Sequence, residues 1–226
     1  NPLACVTARD VPAPALLAQP EGDAIVQLLS SGTTGKPKQI YLSLHSIDDL
    51  IERTRFQFSS GGMGENAPQI LAWPLSSLGG TNAALPAASL GQTLVIQERF
   101  DAPRFLAQLR QYKPTFLSIP PPAMASLLQL NPMREDLASI ELYFNGAAPL
   151  DPNVRTRMEE EYGLPVANAY GATEFAGIIS SWVPEDFQYL KSKRGSCGRA
   201  LPGMQLRIVA EESGTVLPAG ETGLVE

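Results

Sequence analysis

From Gln69 onward the chain alternates short apolar runs with stretches of helical periodicity, and this alternation limits the possible folds more than any other feature. The runs are Ile70-Leu71-Ala72-Trp73, Thr93-Leu94-Val95-Ile96, Thr115-Phe116-Leu117-Ser118-Ile119, Ile140-Glu141-Leu142-Tyr143-Phe144 and Val166-Ala167-Asn168-Ala169. Between them, Asp101 reads as the cap of a helix that carries Phe105, Leu106, Leu109 and Tyr112 and stops at Pro114. Pro121 to Leu130 reads as a second helix. Asp151-Pro152 opens a third, which Gly163 ends. Strand–helix–strand repetition at this spacing predicts an α/β fold, a mainly parallel sheet covered by helices, with ligands outside the carboxyl ends of its strands. From about residue 195 glycines and prolines punctuate Gln205-Leu206-Arg207-Ile208-Val209 and Gly223-Leu224-Val225, the pattern of a small β-rich segment. The reading divides the chain into a nucleotide-binding α/β core over residues 1–190 and a truncated β-rich subdomain over residues 191–226.

Ahead of the alternating region stands Ser30-Ser31-Gly32-Thr33-Thr34-Gly35-Lys36-Pro37-Lys38, directly after the apolar run 24–29. Four hydroxyls, two glycines and two lysines share these nine residues. Glycine lets the backbone approach an anion, hydroxyls and N–H groups donate to its oxygens, and ammonium groups neutralise it. The spacing is not that of a Walker A loop, because only two residues separate Gly32 from Gly35-Lys36 and Pro37 stands where a metal-holding Ser or Thr would be. The strand-like Gln39-Ile40-Tyr41-Leu42 follows, so the loop is expected to join two strands. A plain Ser/Gly-rich hairpin loop is the competing reading. Ser46 then reads as the N-cap of a helix with Asp49 in its first turn and Ile47, Leu50, Ile51 and Phe58 on one face. His45, just before that cap, is given no catalytic part.

Composition narrows the partners. The net charge is −6 and no segment gathers five or six Lys and Arg, which argues against a nucleic-acid-binding face. Cys5 and Cys197 match no metal or redox spacing and read as free thiols of a reducing, cytoplasmic compartment. No apolar run reaches the roughly 18 residues of a membrane span. The chain starts without a methionine and reads as an excised piece of something longer.

Two more clusters fall just beyond predicted strand ends. Asn145-Gly146-Ala147-Ala148-Pro149 has small residues against which a flat ring can lie, although a plain strand-to-helix turn would look the same. Asn168-Ala169-Tyr170-Gly171-Ala172-Thr173-Glu174 offers an amide, an aromatic face, a hydroxyl and a carboxylate. Such groups can pair with a ring edge, stack on a base, donate to phosphate and hold Mg²⁺. Glu174 alone would read as a solvated loop carboxylate.

In this order and separation, Ser30 to Lys38, Gly146 to Pro149 and Tyr170 to Glu174 resemble the signature motifs of the adenylate-forming superfamily. That group includes acyl-CoA synthetases, aryl-acid ligases, luciferases and nonribosomal peptide synthetase adenylation domains. Gly195-Ser196-Cys197-Gly198-Arg199-Ala200-Leu201-Pro202-Gly203 and Ala219-Gly220-Glu221-Thr222-Gly223 resemble its next two segments. The resemblance implies ATP-dependent conversion of a carboxylic acid to an acyl-adenylate, with CoA or the phosphopantetheine of a carrier protein as acyl acceptor. It implies ATP contacts from Ser30, Ser31, Gly32, Thr33, Thr34, Gly35, Lys38, Gly146, Ala147, Ala148, Asn168, Tyr170, Gly171 and Thr173. Lys38, Thr173 and Glu174 would be catalytic, with Glu174 holding Mg²⁺. Trp73, Ser76, Ser77 and Ala172 would line the acid pocket, although Trp73 reads equally as a core residue.

Departures from the pattern matter too. Ser76-Ser77 follow Pro74-Leu75 where family acid ligases commonly carry an aromatic residue and a histidine. No Asp stands between Ile70 and Thr81 to meet an α-amino group, which favours a fatty or aryl acid over an amino acid. The chain stops before the family's ribose-binding Asp and its mobile C-terminal domain with the catalytic Lys. This segment alone is therefore expected to bind Mg·ATP weakly and turn over negligibly. A degenerate nucleotide-binding relative without catalysis, an amino-acid adenylation domain and an interaction module without a nucleotide site are the alternatives.

Overall fold

The computed structural model of the protein describes residues 23–30, 38–59 and 67–226. Strands β1 (Ala24–Ser30) and β2 (Lys38–Ser43) pair antiparallel, with Ser30 opposite Lys38. The hydroxyl- and glycine-rich segment therefore joins two strands, as its flanking apolar runs predict. Ser31, Gly32, Thr33, Thr34 and Gly35 lie outside the described residues, as does Cys5. Alternation along the ladder turns Val26, Leu28, Ile40 and Leu42 inward, where they pack with Ile47, Ile51, Leu78, Leu85 and Ala176.

Helix α1 (Leu44–Ser59) follows without a break. It starts two residues before the expected cap at Ser46. The physical reason is that the Ser43 hydroxyl, at 3.1 Å, accepts the Ser46 N–H and so takes the capping role itself. His45 thus sits exposed on the first turn.

The alternating region next lays down β3 (Gln69–Leu71), α2 (Leu78–Ser89), β4 (Leu94–Ile96), α3 (Ala102–Tyr112) and β5 (Phe116–Leu117). After these come α4 (Pro121–Gln129), β6 (Leu142–Asn145), α5 (Pro152–Glu161) and β7 (Val166–Asn168). β3 pairs parallel with β4, and β5, β6 and β7 form a three-stranded parallel sheet in that order. Asp101 and Asp151 cap α3 and α5 as expected, each side chain accepting backbone N–H groups of the first turn. Several strands are shorter than their apolar runs, since the runs continue into buried turns.

Helix α2 has no counterpart in the sequence reading. Gly79, Gly80 and an internal Pro86 suppress its helical signature. It forms because the Ser77 side chain accepts the Gly80 N–H at its start and because Thr81, Pro86 and Ala87 are buried. The main core gathers Phe105, Leu109, Leu117, Ile119, Met124, Leu127, Tyr143, Met158 and Val166 between these helices and strands.

Beyond β7 the chain turns antiparallel. β8 (Tyr170–Ala172), β9 (Gly177–Ser181) and β10 (Arg199–Ala200) form a sheet with β9 in the middle. β11 (Ile208–Val209) and β12 (Leu224–Val225) pair only with each other. Ladder bonds between β9 and β10 thus cross residue 190, whereas the last ladder is separate.

Candidate active site

Parallel strands β6 and β7 end side by side, with Asn145 in register with Asn168. Asn145 is 4 % exposed, and its Nδ2 donates to Asn168 Oδ1 at 3.1 Å and to the Ala148 carbonyl at 3.4 Å. The Asn168 amide in turn donates to the Ser196 carbonyl at 3.4 Å. Below the pair, the Tyr143 hydroxyl donates to the Ile119 carbonyl at 2.9 Å, and burial pushes its phenol pKa up. These bonds fasten the two strand-end loops to each other and to the segment around Ser196.

The loop after β6 is open toward a cavity. A side-chain carbon built on Gly146 would meet nothing within 4 Å, so the fold leaves free space there. Ala147 takes a left-handed conformation at φ 66°, rare for a residue with a side chain. The loop after β7 enters β8, where packing demands a glycine. A carbon added to Gly171 would come within 2.3 Å of the Gly177 carbonyl oxygen across the ladder. A single 3₁₀ turn over Thr173–Phe175 follows and closes on Ala176, whose N–H donates to the Thr173 carbonyl at 3.1 Å. Thr173 is half-buried and Glu174 exposed at this turn.

One cavity of about 520 Å³ joins these pieces. Gly146, Ala147, Gly171, Ala172, Thr173 and Glu174 form one part of its wall, and Trp73, Ser77, Leu78, Gly79, Pro86, Ala87, Phe116, Phe144 and Ile178 another. Glu174 is the one ionisable group among the described wall residues. The Trp73 indole is fixed on both sides, as its Nε1 donates to the Ser118 carbonyl at 3.0 Å and its ring leaves no room for a side chain at Gly79. A carbon there would lie 2.6 Å from the ring.

The sequence-derived candidates divide accordingly. Gly146, Ala147, Gly171, Ala172, Thr173, Glu174, Trp73 and Ser77 come together on this cavity. Ser77 spends its hydroxyl on α2, donating to the Pro74 carbonyl at 2.7 Å and accepting from Gly80. Ser76 is exposed and stands off the wall. Ala148 is exposed beside the open loop, and Tyr170, 40 % exposed, sits near Phe175 with ring centroids 6.4 Å apart. Asn168 lies behind the wall, its amide engaged by Asn145 and Ser196. Ser30 and Lys38 pair across the open end of the β1–β2 ladder, and Leu29, beside Ser30, reaches the cavity wall.

Sequence reasoning missed Asn82, Thr54 and Phe144 as wall residues. Asn82 rides on the unread helix α2, and its Oδ1 is buried without a partner. Asn145 was legible as part of a small-residue turn, but its role as a tie between loops depends on register.

Mg²⁺ coordination by a triphosphate needs only one or two protein carboxylates, since phosphate oxygens and water complete the shell. An exposed Glu174 next to the Thr173 hydroxyl fits that requirement. Among the described residues no group of three His, Cys, Asp or Glu side chains could hold a metal by itself, and no helix is long and apolar enough to cross a membrane.

Comparison with known proteins places the chain in a family. The profile of the family described as AMP-binding enzyme matches residues 5–225. The 4-coumarate–CoA ligase-like 9 of Arabidopsis thaliana is 28 % identical over 206 residues, which is 90 % of this chain and 36 % of that protein. The indoleacetate–CoA ligase of Aromatoleum aromaticum is 32 % identical over 211 residues, 86 % of this chain and 37 % of that one. Among solved structures, o-succinylbenzoate CoA synthetase of Bacillus subtilis in complex with ATP and magnesium ion superposes with a TM-score of 0.73 at 27 % identity, covering 88 % of this chain and 40 % of that one. The chain thus spans little more than a third of the length of these relatives.

Proposed function

The chain belongs to the AMP-binding enzyme family, and on that premise we propose that it is the nucleotide- and acid-binding part of an AMP-forming acid–thiol ligase acting on an aryl carboxylic acid. The observation that carries this reading is the single cavity shared by the Gly146–Ala147 loop, the Thr173–Glu174 turn and an apolar wall built on Trp73. A flat fixed indole, small residues on the same wall and Glu174 as the one ionisable group among the described lining residues suit an aromatic ring better than a flexible alkyl chain, which gains little from a rigid face. The relatives named for coumarate and indoleacetate point the same way.

In the reaction a carboxylate oxygen of the acid bonds to the α-phosphorus of ATP while the bond to the β-phosphate oxygen breaks. Pyrophosphate leaves with that electron pair. The acyl-adenylate then loses AMP to an attacking thiol, here assigned to CoA, whose proton passes to solvent. Adenine would lie over the Gly146–Ala147 backbone, where the fold leaves free space, with the Tyr170 and Phe175 rings at the exposed edge. Thr173 would donate to the α-phosphate, and Lys38 would offset charge at the β- and γ-phosphates. Mg²⁺, held by Glu174, would neutralise the triphosphate and so lower the repulsion that opposes an incoming carboxylate. Ser77 contributes through the start of α2 and not through a free hydroxyl. Holding two anions together is the main physical demand, and the protein meets it with positioned donors and exclusion of water from an apolar acid site.

Because the chain covers only part of its relatives, the activity is proposed for the protein that carries it. These residues alone are expected to bind Mg·ATP weakly and to turn over negligibly. ATP–pyrophosphate exchange over a panel of aryl, fatty and amino acids tests the reading, with aryl acids expected to give the fastest exchange. Lys38→Ala and Glu174→Ala should each lower that exchange on the order of 10²–10³-fold. Unchanged rates in both variants, or exchange driven best by amino acids, reject it.

A further inference from the structure

Arg53, on α1, is 7 % exposed. Burying a guanidinium is costly unless its donors are used, and desolvation pulls its pKa down, opposed by the charge of Asp49 one turn earlier. Its Nη2 donates at 3.2 Å to the carbonyl of Ala176, 123 residues away in sequence. A methionine could fill this space without the cost of burying a charge, so the guanidinium needs an explanation in what it holds.

What it holds is a peptide in a costly conformation. Ala176 is left-handed at φ 52°, and the next residue, Gly177, has φ 129°. A left-handed alanine is disfavoured by its side chain, so this peptide and the turn before it need outside support to keep their place. That turn bears Thr173 and Glu174 immediately upstream. Ala176, in one buried cluster with Leu28, Leu42 and Ile47, and the Arg53 bond tie it to the β1–β2–α1 unit. The same unit presents Lys38 at the start of β2.

We propose that Arg53 is a positioning residue for the nucleotide site: by pinning the Ala176–Gly177 peptide it fixes the Thr173–Glu174 turn relative to the hairpin that carries Lys38. A triphosphate gripped at its α-phosphate by the turn and at its far end by the hairpin needs both ends at one fixed separation. Without Arg53 each end still binds, but the two no longer bind together at full strength. The inference rests on the nucleotide-binding part of the functional reading and adds to it a residue outside the cavity wall.

The test is a double-mutant cycle on Mg·ATP affinity, read by titration calorimetry on the protein carrying wild-type sequence, Arg53→Met, Lys38→Ala and both changes. Each single change should weaken binding about tenfold, the scale of one charge-assisted hydrogen bond. Because the two residues act on one separation, the double variant should fall within about threefold of the weaker single variant instead of reaching about a hundredfold. Arg53→Lys, which keeps the charge and most of the stem, should recover binding to within about threefold of wild type, and Arg53→Gln, which removes the charge, stands in for Arg53→Met in the cycle if that variant does not fold. A purely structural role would lower melting temperature and multiply with Lys38→Ala. Additive losses, or an unchanged Kd in Arg53→Met, overturn the proposal. In the longer protein proposed to carry this chain, Mg·ATP binding with no pyrophosphate exchange on any acid rejects the acid-activating reading while the cycle still decides on Arg53. Wild-type protein that binds no Mg·ATP rejects both.

Discussion

Asn145 donates its side-chain amide to Asn168 at 3.1 Å, so the carboxyl ends of two neighbouring parallel strands are joined by side chains as well as by their ladder. Because Asn145 is nearly fully buried, removing its amide leaves the Asn168 oxygen and the Ala148 carbonyl without that donor. Asn145→Ala should lower stability by about 1–3 kcal/mol. The check is a shift of the denaturation midpoint at unchanged slope against denaturant, and an unmoved midpoint would show that water replaces the tie without loss. Asn168, by contrast, has one lone pair and one N–H already engaged by the scaffold, so any role at an adenine edge must use its second N–H or its remaining lone pair.

Gly79 and Trp73 pack together on the cavity wall proposed to receive the acid. Gly79→Ala places a methyl against the six-membered ring of the indole and should push the ring toward the cavity, at a cost of about 1–3 kcal/mol in stability. Loss of ring space should raise KM for an aryl acid about tenfold, equivalent to ~1.4 kcal/mol, and leave KM for ATP unchanged. Equal changes in both constants would place Trp73 away from the acid.

Much of this candidate site was legible without coordinates because its small and polar residues lie in turns. Gly146, Ala147, Thr173 and Glu174 stand out as small or polar residues just past apolar runs, and parallel topology puts such turns on one edge of the sheet. The apolar half was harder to read. Helix α2 hides behind Gly79, Gly80 and Pro86, which lower intrinsic propensity, and only tertiary burial of its Thr81 and Ala87 recovers it. The start of α1 was misplaced because Ser43 and Ser46 are both competent caps, and sequence alone does not say which hydroxyl accepts. The ladder of β8 and β9 depends on a close backbone approach at Gly171 that no periodicity reports. Ser76 and Ser77 look alike in sequence, yet the helix start turns one onto the wall and the other to solvent.

Asp136 links stability to pH. Both Arg110 nitrogens that meet it, at 2.7 and 2.9 Å, hold its carboxyl below the ordinary carboxylate range, and the Met133 N–H at 2.8 Å adds to the effect against the opposing cost of burial. The folded value is depressed, so the contribution is present above the unfolded carboxylate pKa of ~3.9 and is lost as pH falls through the folded value. Asp136→Asn should therefore be less stable than wild type at neutral pH, and the gap should close as pH drops below that range. Urea midpoints measured from pH 7 down to pH 2.5 test the sign. A gap that widens in acid would contradict it.

Gly171 gives the sharpest structural test of the proposed nucleotide turn. A methyl at this position would sit 2.3 Å from the Gly177 carbonyl oxygen and 2.7 Å from the Ile178 α-carbon, both backbone atoms of β9 that cannot rotate away. Relief requires β8 and β9 to part, and their pairing is what delivers Thr173 and Glu174 to the cavity rim. Gly171→Ala should thus cost about 1–3 kcal/mol in stability and weaken Mg·ATP binding together with it. The control is Gly91→Ala, at a surface turn with open space around it and a φ of 65°. It should cost about 1–2 kcal/mol of backbone strain and leave Mg·ATP affinity untouched. If the two variants lose stability equally and neither changes nucleotide affinity, the β8–β9 approach does not set the geometry of the Thr173–Glu174 turn.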